Sequence, residues 1–243
     1  MSSFLPNPVA QPADRRLRFD LRVLVLGALL LLAWDLSGLD LALQRGVGTP
    51  QGFPWKNAWV TSTLLHQGGR TLAWAVFGAM LLDAAWRPWI IGPTRAQRWR
   101  AVAMTLACLL LVPGLKRISR TSCPWEQSEF GGHAQYISHW SFGRYDGGDG
   151  HCFPSGHAVA AFAFLSLYFL LRESRPRLAR ACLWGVLGVG GLFGAAQLLR
   201  GAHYLSHAAW SDWLCWLICL ALQRWPLQSD TAPTAATDSR QGA

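Results

Sequence analysis

The feature that most constrains this chain is a series of apolar runs, several near twenty residues, with short clusters of arginines at run ends. The runs cover roughly 19–42, 70–91, 99–115, 157–171, 178–199 and 207–224, and the clusters fall at 15–22, 95–100, 172–180 and at Arg224. A helix of about twenty residues matches the hydrocarbon thickness of a bilayer. Only 14% of the residues are charged, against roughly a quarter in a soluble domain. The expected fold is therefore all-α: a polytopic membrane protein with six transmembrane helices. The first run is too long for a signal-peptide core and lacks a small-residue cleavage site, so it reads as a retained span. The net charge of +9 resides in the clusters at run ends. No basic stripe interleaved with aromatics accompanies it, which argues against a nucleic-acid partner. Six cysteines without a CxxC pair indicate neither a zinc ribbon nor a redox motif.

Along the chain, residues 1–18 read as a loose tail, 19–225 as the six-helix membrane domain, and 226–243 as a disordered tail. Six spans put both termini on one side. The preference of arginine for the cytoplasmic face places the clusters, and hence the termini, inside the cell membrane. The outer side then receives the 43–69 loop, with a short interfacial helix around 55–65, the 116–156 loop and the 200–206 turn. Asp35 and Asp40 are expected near that outer interface, and Asp83 as an interfacial or capped polar group.

Three polar groups converge on the outer face. The first is Lys116-Arg117 with Arg120, Cys123 and Pro124. The second is Phe153-Pro154-Ser155-Gly156-His157, after the glycine-rich stretch 146–152, where Pro154 is expected to open a helix and leave first-turn amides free for an anion. The third is Arg200-Gly-Ala-His203-Tyr-Leu-Ser-His207. Taken singly, the cations could be headgroup anchors and each histidine a satisfied interfacial residue. His133, His139 and His151 read as surface loop residues. Together the three groups make a phosphate-ester site: Lys and Arg neutralise phosphoryl oxygens, and paired histidines serve as nucleophile and acid.

The order of Lys116-x6-Cys123-Pro124, Pro154-Ser-Gly-His157 and Arg200…His203 resembles the type-2 phosphatidic acid phosphatase superfamily over roughly residues 70–222. The resemblance implies a metal-independent membrane phosphatase without cofactor, acting on a lipid phosphate at the outer face. Carried over, His203 would be the nucleophile and His157 the general acid. Lys116, Ser155 and Gly156 would bind phosphate, with Arg120 and Arg200 as substitutes for missing arginines. Three positions depart from the family pattern. Cys123 and Gln197 stand where arginines are usual, and His207 stands where an aspartate normally orients the nucleophile, leaving His207 or Asp212 for that role. A lipid phosphotransferase with the same phosphohistidine intermediate, or a non-catalytic lipid-phosphate binder, are the other readings. Cys123 and Cys152 flank motifs in one outer loop and are expected to pair, the alternative being two free thiols. Neither the lipid nor the oligomeric state is legible.

Overall fold

A computed structural model describes residues 12–224 except 87 and 142. The tail expected at 226–243 and most of the one at 1–18 lie outside the described residues. The first helix, α1 (Pro12–Ser37), begins at Pro12 rather than near residue 19. It ends at Gly38, whose φ of 73° is in the left-handed region that glycine reaches without a Cβ clash. The chain there bends by 62° into α2 (Leu39–Val47). A π-helical segment, Val60–Gly68, runs directly into α3 (Gly69–Ala85). Helix α4 (Arg95–Ile118) opens on a capping box in which Thr94 and Gln97 satisfy each other's amides. A long loop, with two short 3-10 turns (Pro124–Glu126 and Ser128–Phe130) near its start, leads to α5 (Val159–Phe162) and α6 (Leu165–Leu171). Pro176 at the first position opens α7 (Pro176–Leu199), and α8 (Leu205–Gln223) completes the described fold.

The architecture is all-helical, with no strand among the described residues. Helices α4, α7 and α8 are long and apolar enough to cross a membrane, and the bent α1–α2 pair makes a fourth candidate. Helix α8 is the axis, packed against α1, α4, α5, α6 and α7. Its Cys215, Trp216 and Cys219 meet Met104, Cys108 and Val112 of α4, together with Val159, Phe162 and Phe169 of α5 and α6, in one core.

Packing sorts the polar residues to two ends. At one end Arg16 pairs with Glu173 at 3.0 Å and Arg172 with Asp20 at 2.8 Å. Arg175 donates to the Ile91 carbonyl and Arg100 to that of Gln223. The arginine clusters, far apart in sequence, therefore share one end of the bundle. Asp83 is capped as expected: it pairs with Arg98 and accepts from the amides of Trp89 and Ile90.

The Arg172–Asp20 pair is buried, at 10% and 0% side-chain exposure. Removing one partner strands the other charge, at a cost of about 3–5 kcal/mol. Arg172→Ala should therefore lower the Tm of the detergent-solubilised protein strongly. Arg45→Ala, which breaks an exposed pair with Glu129, should leave it nearly unchanged.

Candidate active site

The turn 153–157 does not begin a helix. A cis peptide precedes Pro154, and the helix starts only at Val159. The turn is instead stitched to α8. Ser155 donates its amide to the His207 carbonyl at 3.0 Å, and Ser211 Oγ donates to the carbonyls of Ser155 and His207, at 2.9 Å each. Ser155 is fully buried and its Oγ accepts from the Ala158 amide. Its amide is thus committed, while those of Gly156 and His157 make no hydrogen bond among the described residues. The Lys116 side chain lies against Gly156, where a Cβ would stand 3.5 Å from its Cδ.

His203 arrives at the same place from the α7–α8 connection. Gly201 turns that connection with φ 69° and lies so close to Phe53 that any side chain there would strike the ring. Gln44 of α2 donates to the His203 carbonyl at 2.9 Å. His203 Nδ1 is 3.4 Å from Cys152 Sγ. The nucleophile candidate is thus held from its Nδ1 side, leaving Nε2 for chemistry. Burial, reinforced by the positive charge of Lys116, pushes its pKa well below the usual histidine value.

His157, half-buried, places Nε2 3.3 Å from the Leu65 carbonyl. Burial, the neighbouring His66 and the field of Arg200 and Arg70 push its pKa down to about 4. His66 was not singled out in the sequence. It comes from the π-helical segment, its ring centroid 4.2 Å from that of His157. Gln197 Nε2 contacts His66 Nδ1 at 3.0 Å, and Arg200 donates to Gln197 Oε1 at 3.4 Å and to the Lys56 carbonyl at 3.0 Å. The only sequence signal for His66 was its position four residues before Arg70, at the mouth of an apolar run.

Lys116, Gly156, His157, His203 and Arg200 thus gather at the end of the bundle opposite the arginine clusters. Arg120 is placed differently: it lines a cavity of about 810 Å³ between α1, α4 and α8, on the far side of Phe153 and Pro154. None of Lys116, His157 or His203 lines that cavity. His207 is fully buried among rings, 5.8 Å from His203, 5.2 Å from Phe153 and 5.2 Å from Tyr204, and neither of its nitrogens has a hydrogen-bond partner among the described residues. Asp212 Oδ1 is likewise buried without a hydrogen-bond partner among the described residues. His139, expected on the surface, is packed on Phe153 at 4.1 Å and bonded to Asp35 at 3.2 Å. Asp35 also accepts from Trp140 and Trp210, tying the long loop to α1 and α8.

The model of the PAP2 superfamily matches residues 97–230, more than half of the chain. The chain belongs to the PAP2 superfamily. No curated protein and no solved structure matches it. Membership brings phosphatase-type chemistry on phosphate esters. The matched region contains Lys116, His157 and His203, and leaves His66 and Arg70 outside it.

Cys123 and Cys152 form a disulfide across 29 residues of chain, with Cα atoms 5.1 Å apart. It joins the segment after α4 to the residue that touches His203. A crosslink closing a loop of this length stabilises by about 3 kcal/mol on the chain-entropy model. Reductant should therefore lower both the Tm and the phosphatase activity of the wild type, and leave the Tm of Cys123→Ala/Cys152→Ala unmoved. Equal Tm values with and without reductant in the wild type would show that the bond contributes nothing.

Proposed function

We propose that the protein is an integral membrane phosphatase that hydrolyses a lipid-linked phosphate or diphosphate through a phosphohistidine at His203. The observation that carries this reading is the convergence of Lys116, the Gly156–His157 turn and His203 at one end of the bundle. Lys116 and the free amides of Gly156 and His157 stabilise the phosphoryl oxygens, the main contribution in phosphoryl transfer. His203 Nε2 attacks phosphorus in line, and His157, on the leaving side, takes a proton from the attacking water in the second step. Ser155 shapes the turn from beneath. Arg200 acts on phosphate across the Gln197 side chain, and His207 backs the His203 ring with an aromatic wall. No metal enters this scheme.

Six spans follow if α3 with its π-helical extension, and α5 with α6, each count as one. Residues 159–171 rise on the order of 20 Å, less than the hydrocarbon thickness. The 153–157 turn would then sit below the membrane surface, at the depth of a lipid headgroup. The arginine-rich end faces the cytoplasm and the site faces outward. Reporters fused near Arg175 should read cytoplasmic and reporters within 126–141 external, and a same-side result would separate the site from the outer face.

Purified protein in detergent, assayed without added metal, should release phosphate from lipid phosphates. His203→Ala should abolish both turnover and acid-labile labelling, and His157→Ala should slow turnover by ~10²- to 10⁴-fold. Because burial keeps the His203 pKa low, the nucleophile stays neutral as pH falls. The rate of phosphoenzyme formation should therefore hold between pH ~7 and ~5.5, whereas a nucleophile with the ordinary value near ~6.5 would lose activity across that interval.

A further inference from the structure

His66 has its hydrogen-bonding sense fixed by its neighbours. A guanidinium only donates, so the Gln197 oxygen must face Arg200 and its amide nitrogen must face His66. His66 Nδ1 is then the acceptor, and in the neutral ring the proton is on Nε2. That N–H has no partner among the described residues. Arg70 follows on the same helical face, is exposed, and makes no hydrogen bond or ion pair among the described residues. Lys116 and Arg200 also act on the His66 ring. A free donor thus stands beside His157, the group on the leaving side of the reaction, with a free cation one turn further along the same helical face.

We infer that His66 and Arg70 form a second phosphate subsite on the leaving-group side of His157, fitting the chain to lipid diphosphates whose leaving group is itself a phosphate. The inference rests on the phosphatase reading and narrows its substrate class. His203 Nε2 forms a bond to the terminal phosphorus as the bond from that phosphorus to the bridging oxygen breaks. The electron pair passes to the bridging oxygen, which departs within a lipid monophosphate held by His66 Nε2–H and Arg70. Water then adds to phosphorus as His157 takes one of its protons, the N–P bond breaks with its electron pair returning to His203, and inorganic phosphate leaves with the water's oxygen and its remaining proton.

The state of His157 fits this leaving group. Held near a pKa of about 4, it carries little proton to give at neutral pH. An alkoxide leaves poorly without one. A phosphate monoester, with a second pKa near 6, leaves as a stable anion and asks little of the acid. The charge on the departing phosphate is met by Arg70 and His66 instead.

The test uses full-length protein in detergent and two matched pairs: farnesyl diphosphate with farnesyl phosphate, and diacylglycerol diphosphate with phosphatidic acid. The wild type should favour the diphosphate in at least one pair, as a ratio of kcat/KM. Arg70→Gln, at an exposed position, and His66→Ala should each lower that ratio by about ten- to hundredfold, with Tm recorded to show that both are folded. A shift confined to the farnesyl pair assigns an isoprenoid tail, and one confined to the other pair assigns a diacylglycerol tail. Equal losses on both members of a pair, or a wild type that favours monophosphates, overturn the subsite while leaving the phosphatase reading intact. A wild type that releases phosphate from none of the four substrates overturns the phosphatase reading and the subsite with it.

Discussion

The bonds between the 153–157 turn and the first turns of α8 hold the site together. Ser155 N–H on the His207 carbonyl, and Ser211 Oγ on the carbonyls of Ser155 and His207, join two segments about fifty residues apart in sequence. They are buried, so each lost partner would leave an unsatisfied polar group away from water, the costly case for a hydrogen bond. They also fix the relation of His157 to His203, since one follows the turn and the other precedes the helix. The disulfide acts at the same junction from the other side, through Cys152 against His203. Geometry that catalysis needs to within a fraction of an ångström is thereby set by backbone groups rather than by long side chains.

The electrostatics of the cluster follow from how little water reaches it. His203 is buried beside Lys116, and His157 is half-buried within the field of Arg70 and Arg200. Both imidazoles are consequently held neutral by surroundings that favour an incoming anion. A neutral imidazole is already a nucleophile and needs no base to activate it, so in the proposed mechanism a carboxylate partner has less to do than in a serine triad. Cys152 Sγ, on the Nδ1 side, provides orientation without adding a negative charge that would repel phosphate. The buried ring of His207 occupies the aspartate position and fills space between Phe153 and Tyr204, with no hydrogen bond to either neighbour's polar atoms.

Much of this was legible in the sequence. The spacing of apolar runs gave helices close to α4, α7 and α8, and the alternation of arginine clusters with motif residues anticipated the two polar ends. Lys116, His157 and His203 were recognisable because their motifs are local. The start of α5 was not, because Pro154 is as compatible with a turn as with a first helical position, and the Ser155 bond to α8 is a long-range choice. The position of Arg120 was not legible, because a residue two beyond a helix end can face either side of the following segment, and packing put it in the cavity lined by Phe153 and Pro154. His139 looked like a surface residue because its partner, Asp35, lies 104 positions earlier.

Gln197 shows how a departure from a family pattern becomes intelligible only in three dimensions. An arginine at 197 would present a fixed positive charge from the last turn of α7. Here that charge stands at Arg200, at the helix end, and the glutamine left behind is bonded to it. An amide differs from a guanidinium in having one accepting and one donating end, so binding Arg200 through oxygen obliges its nitrogen to turn toward His66. The substitution therefore does not simply delete a cation. It moves the cation one turn outward and recruits a histidine from the π-helical segment, a kind of helical irregularity that often marks a functional position. The result is a chain of hydrogen bonds from Arg200 through Gln197 to the ring that packs against His157.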